Sequence, residues 1–197
     1  MAENDVGKYK VIVIGGSAGS LEVILSIISG LGTISQSMVF IVHRKSSNDS
    51  ILTDLLSDKT KMSVKEVEDK DPVLPSTVYI APGDYHLLFE NTAAFALDSS
   101  EKLHFSRPSI DVTFESAADV FGADCIGVLL SGANADGVKG LKSIRRVGGL
   151  TIVQDPATAD VDYMPRQAVK EGAAELVVKA DRIGAVLKDV LNGVRLP

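Results

Sequence analysis

Ordered patterning begins at Tyr9, where YKVIVIG forms a continuous apolar, β-branched run of strand length that halts at the glycines of GGSAGS. A run that is apolar at successive positions predicts a strand buried on both faces. The period then changes. In SLEVILSIISGL, Leu21, Ile24, Leu25, Ile27, Ile28 and Leu31 recur at helical spacing, and Gly30 and Gly32 supply the stop. SMVFIVH predicts a second strand, and SILTDLLSDK a short helix capped by Asp49 or Ser50. MSVKEV and TVYIAPG predict short strands, and HLLFENTAAFALD a hairpin turning near residues 90–92. Ser109 is a good N-cap for a helix over IDVTFESAADVFG. Beyond it come the strand CIGVLL, the helix GVKGLKSIRRVG, the strand LTIVQ, a helical PRQAVKEG, the short strand ELVV and a closing amphipathic helix, DRIGAVLKDVLNGV. This alternation predicts a doubly wound α/β fold, its mostly parallel sheet covered on both faces, with an antiparallel hairpin inserted.

Residues 1–8, MAENDVGK, are polar and aperiodic and read as a disordered tail, leaving 9–197 as one domain. Apolar residues make up 45% of the 197, enough for a single buried core. The net charge of −6 argues against a nucleic-acid partner, which needs a basic stripe to displace counterions. No leader pattern and no apolar stretch of bilayer length is visible, so the expectation is a cytoplasmic protein with no membrane insertion. The one cysteine, Cys125, enters an apolar run and reads as a small buried hydrophobe. One cysteine and three scattered histidines provide no ligand-spaced metal site.

Gly15-Gly16-Ser17-Ala18-Gly19 fits the G-x-S-x-G nucleophile elbow where a predicted strand turns into a predicted helix. The rival reading is a phosphate-cradling loop of an NADP-binding module. The spacing fails G-x-G-x-x-G at Ser20, however, and the second strand ends in His43-Arg44-Lys45, which suits only a 2′-phosphate reader. His43 ends the second strand and is a candidate base for a serine on the neighbouring strand end. Histidine exchanges a proton near neutrality. His86 and His104 compete for that role from less favourable segments. Asp136 lies in SGANADG, after a buried strand and before a helix. It would orient the base or merely cap its own helix, and as a cap it would exchange for asparagine with little loss of stability. Ligand crevices of parallel sheets form at the C-terminal strand ends that all three share.

In this order, VIVIGGSAGSLEVI, IVHRKSS, VYIAPGDYHLLF, FSRPSIDVTFESAA, GVLLSGANADGVKGL and QDPATADVDYMPRQAV resemble the catalytic domain of the chemotaxis protein-glutamate methylesterases, over about residues 10–190. The resemblance implies Ser17 as nucleophile, His43 as base, Asp136 as orienting acid and the backbone N–H of Ala133 as an oxyanion donor. It implies hydrolysis of γ-glutamyl methyl esters, with glutamine deamidation as a companion activity, and no cofactor. The partners would be the methylated cytoplasmic helices of chemoreceptors. Three departures stand out: Ala18 replaces a threonine, Gly132-Ala133-Asn134 a Gly-Met-Gly run, and Arg44-Lys45 a methionine and proline. The family's N-terminal phosphoacceptor domain has no counterpart in residues 1–8. The expectation is an excised domain, or an esterase controlled otherwise, for example by a separate phosphoacceptor protein. A non-catalytic interaction protein on the same fold is the remaining alternative.

Overall fold

A computed structural model describes residues 9–44 and 49–194, without the side chains of Asp49 and Ser50. The tail expected over residues 1–8, Lys45 and the cap expected on the second helix therefore lie outside the described residues. Seven strands form one wholly parallel sheet in the order β3-β4-β2-β1-β7-β8-β9. They are β1 Val11–Gly16, β2 Ser37–Val42, β3 Ser63–Glu66, β4 Thr77–Ile80, β7 Cys125–Leu129, β8 Leu150–Gln154 and β9 Leu176–Val178. The hairpin, β5 His86–Asn91 and β6 Ala94–Asp98, forms a separate antiparallel pair. The helices are α1 Leu21–Leu31, α2 Asp49–Ser57, α3 Ile110–Phe121, α4 Val138–Arg146, α5 Tyr163–Lys170 and α6 Ile183–Leu191.

Burial on both faces explains why the central strands carry unbroken apolar runs. In β1, Val11 and Val13 pack with α3, α4 and the hairpin aromatics, whereas Ile12 and Ile14 pack with α1, α2 and α6. Successive side chains of a strand point to opposite faces, so each layer needs its own set. The hairpin is held by aromatic contacts: Phe89 meets Phe95 and Phe121 at 5.0 Å between ring centres, and Tyr79 meets Phe95 at 4.8 Å. Cys125 is fully buried at the start of β7, and burial pushes its thiol pKa far up, as the small-hydrophobe reading requires. Helix α5 begins at Tyr163, ahead of the PRQAVKEG segment, because Pro165 falls in its first turn, where a missing N–H costs no helical bond. The strand order reverses at β1, which pairs with β2 on one side and β7 on the other. A crevice opens at the carboxyl ends of strands around such a reversal.

Candidate active site

Ser17 follows β1 directly, His43 follows β2 directly, and Ser131 to Asp136 leave β7, so three adjacent strands deliver the sequence candidates to one edge. Gly16 pairs in register with Val42, which makes Ser17 and His43 the next residues along parallel neighbours. Backbone bonds knit the three exits together. The N–H of His43 donates to the Gly16 carbonyl at 3.2 Å and the N–H of Ser17 to the Ser131 carbonyl at 2.9 Å.

The turn carrying Ser17 is fixed from two directions. The N–H and hydroxyl of Ser20 donate to the Ser17 carbonyl at 3.1 and 2.7 Å. The buried hydroxyl of Ser131 donates to the Ala18 carbonyl at 2.7 Å and accepts from Val161 N–H at 3.0 Å. Gly19 has φ +77°, and a Cβ there would stand 2.6 Å from Asp160 Cβ and 2.8 Å from Ser131 Oγ, so both conformation and space demand glycine. Ser17 itself is partly exposed.

Asp136 is fully buried and accepts four hydrogen bonds. Oδ1 takes the Ser109 hydroxyl and the Asp111 N–H, each at 2.9 Å; Oδ2 takes His43 Nε2 at 2.7 Å and the Ile110 N–H at 2.8 Å. Burial alone would raise its pKa, but the bonds from His43 and from the N–H groups of Asp111 and Ile110 outweigh it and hold the carboxyl below its ordinary range. Three of the donors come from Ser109 and the first turn of α3, where unpaired N–H groups and the helix dipole favour an anion. This corrects the reading of Asp136 as a cap for its own helix. The N-cap of α4 is Gly137, which has no side chain to bond, and Asp136 serves α3 instead.

An ionised Asp136 makes His43 Nε2 the donor, which leaves Nδ1 as the basic nitrogen. Among the described residues no hydrogen bond joins the Ser17 hydroxyl to the His43 ring, although both occupy the same edge. Catalytic bonds of this kind commonly close only around a substrate. Ala133 is exposed directly after Gly132, which is held by backbone bonds to Val161 and Met164 and lies close under Ser17: a Cβ on Gly132 would lie 3.1 Å from Ser17 Cβ. No described residue accepts from the N–H of Ala133 or of Ala18. Asn134 braces this loop, accepting from Asp136 N–H at 3.1 Å and donating to the His104 carbonyl at 3.3 Å.

The rival histidines are engaged by other partners. His86 is buried and bonds to Ser109 and Glu101, and the half-exposed His104 lies 3.5 Å from Asp111. His104, Asp111 and Asp136 each bring a ligand atom to within 4.8 Å of the others, a grouping that the sequence spacing conceals. Both Asp136 oxygens are already committed to two donors each, which leaves no lone pair for a metal ion. Arg44, offered as a 2′-phosphate reader, pairs with Glu66. Ser109 was visible only as a helix cap; its hydroxyl reaches across to Asp136, and nothing in local spacing signals that.

The family model for the CheB methylesterase domain matches residues 12–187. A relative from Leptospira interrogans is 40% identical over 176 residues, covering 89% of this chain and 91% of that protein. A Hydrogenovibrio crunogenus protein named protein-glutamate methylesterase/protein-glutamine glutaminase is 36% identical over 195 residues; the match spans 96% of this chain and 51% of that one. The chain thus spans about half the length of such relatives. The crystal structure of the Thermotoga maritima CheB methylesterase catalytic domain superposes with a TM-score of 0.88 at 34% identity, covering 92% of this chain and 98% of that one.

Proposed function

The chain belongs to the CheB methylesterase family, and from that premise we propose that it hydrolyses γ-glutamyl methyl esters of chemoreceptors, with Ser17 as nucleophile, His43 as base and Asp136 as the acid that orients it. The observation that carries the assignment is the 2.7 Å bond from His43 Nε2 to a buried, ionised Asp136, at the edge where Ser17 ends the adjoining strand.

Ser17 Oγ attacks the ester carbonyl carbon while His43 Nδ1 takes the hydroxyl proton. The carbonyl oxygen becomes an oxyanion, for which the free N–H groups of Ala133 and Ala18 are the available donors. A backbone donor is indifferent to its side chain, so alanine in place of methionine at 133 is compatible with this role. Collapse breaks the bond to methoxide, which leaves as methanol with the proton from His43. Water then attacks the acyl-enzyme, His43 accepts its proton and returns it to Ser17 Oγ, and a glutamate carboxylate is released. With glutamine the leaving group is ammonia. Asp136 fixes the tautomer throughout and stabilises the imidazolium formed in each half-reaction. No step calls for a cofactor.

The test is release of methanol from methyl-labelled receptor, with labelling by a fluorophosphonate probe as an independent readout. Both signals should vanish in Ser17→Ala and fall steeply in His43→Ala. Native protein that reacts with the probe no faster than denatured protein would return the chain to the non-catalytic alternative.

A further inference from the structure

His86 is a buried imidazole, 1% exposed, that the reaction above leaves idle. Its two nitrogens have opposite and fixed duties. Nδ1 lies 3.1 Å from the N–H of Ser109, a group that can only donate, so Nδ1 must carry a lone pair. Nε2 lies 2.9 Å from the carbonyl of Glu101, which can only accept, so Nε2 must carry the proton. Only the neutral Nε2–H tautomer satisfies both.

Ser109 passes this order onward. Its N–H is spent on His86, its hydroxyl donates to Asp136 Oδ1 at 2.9 Å, and the next two N–H groups of the chain grip the same carboxylate. A single line of hydrogen bonds therefore runs from the Glu101 carbonyl through His86, Ser109 and Asp136 to His43. The N-cap N–H of Ser109 lies ahead of the helical bonds of α3 and is fully buried, so without His86 it would be an orphan donor. Such a group turns toward any acceptor it can reach, and the turn it moves is the one that holds Asp136.

We infer that His86 is a positioning residue of the hydrolytic site: its Nδ1 lone pair sets the peptide of Ser109, and thereby the orientation of Asp136 and the alignment of His43. This rests on the proposal that Asp136 orients His43. His86 touches neither substrate nor reacting atoms.

The discriminating substitutions are two polar near-isosteres. In His86→Asn the side-chain oxygen falls close to the place of Nδ1 and keeps an acceptor for Ser109. In His86→Gln the amide reaches one bond further, toward the place of Nε2, and no acceptor stands at the place of Nδ1. With methylated receptor as substrate, His86→Gln should lower kcat on the order of 10–10²-fold with KM unchanged, and His86→Asn should restore most of it. Placed in an Asp136→Asn background, His86→Gln should cost little more, because the group it acts through is already disabled. Equal kcat in the folded Asn and Gln variants would overturn the inference, and so would a full multiplicative loss in the double variant.

Nitrogen NMR of the imidazoles in wild-type protein provides a measurement that needs no variant to fold. The Nε2–H tautomer of His86 is expected, and an Nδ1–H tautomer would overturn the inference whatever the kinetics. A wild type without Ser17-dependent turnover would instead count against the hydrolase reading, while the tautomer would still decide the link between His86 and Ser109.

Discussion

Asp111 and Asp136 stand in a reciprocal relation: each accepts hydrogen bonds at the start of the helix associated with the other. Asp136, which leads into α4, takes the N–H groups of Ile110 and Asp111 at the start of α3. Asp111, in the first turn of α3, takes the N–H of Gly140 in the first turn of α4 at 2.7 Å. Gly140 permits the approach, since a Cβ there would stand 2.5 Å from Phe114 Cβ and 2.9 Å from the Asp111 carbonyl oxygen. Two helix starts that would otherwise bury orphan donors are closed by two carboxylates, and one of these is the proposed orienting acid.

Asp136→Asn tests that double duty. Asparagine offers one oxygen and one NH2, so at least one backbone N–H, that of Ile110 or of Asp111, now meets a donor. A buried mismatch of this kind costs about 1–3 kcal/mol, so the melting temperature should fall, contrary to what a simple cap would show. Turnover should drop on the order of 10²–10⁴-fold as the tautomer of His43 is released. Paired melting curves and methanol release check both, and near-normal turnover in a folded variant would remove Asp136 from the mechanism.

Asp111→Asn should behave oppositely. Burial is the main reason the Asp111 pKa rises from 3.8 to about 6; the Gly140 N–H pulls it down, the negative Asp136 adds to the rise, His104 lowers it and Glu115 raises it. A raised folded pKa means that the native state binds the proton more tightly than the unfolded chain. The resulting stability is full below the unfolded value and is lost as pH climbs through about 6. Asparagine keeps an oxygen for Gly140 and carries no charge. The variant should match wild type near pH 4 and exceed it by about 1–3 kcal/mol at pH 8. Denaturant melts at the two pH values would show it, and a gap that does not widen with pH would refute it.

Gly132→Ala probes the contact under the nucleophile. The added methyl would stand 2.4 Å from Met164 Cε, 2.7 Å from its Sδ and 3.1 Å from Ser17 Cβ. Met164 is fully buried and has little room to yield, so Ser17 and the Ala133 N–H must shift relative to each other. Probe labelling of Ser17 should slow about 10–10²-fold while the protein stays folded. Unchanged labelling would mean that this contact does not set the geometry of attack.

The elements and the three catalytic candidates were legible for one shared reason. Buried strands advertise themselves as β-branched runs, and whatever polar residue directly follows such a run is delivered to the sheet edge. Ser17 and His43 are both of this kind, and Asp136 follows β7 at a short distance. What holds Asp136 was illegible. Two of its donors are backbone N–H groups, which every residue but proline carries, and the third is a hydroxyl 27 positions away whose local sequence says only helix cap. In the sequence His86 reads as a candidate base because histidine suggests proton transfer; its burial and its two fixed partners appear only once the hairpin is folded against α3.

The four bonds into Asp136 also bear on how the protein ages under heat. Active sites commonly sit among a protein's least stable parts, and activity then fades well before the fold does. Here the Asp136 carboxylate cannot loosen without unfastening the start of α3, so on warming its grip on His43 should survive until the domain itself gives way. Heat inactivation and global melting should therefore follow one curve, and a mutational survey of residues 109–111 and 136–140 would find few positions where activity is lost in a protein of undiminished stability.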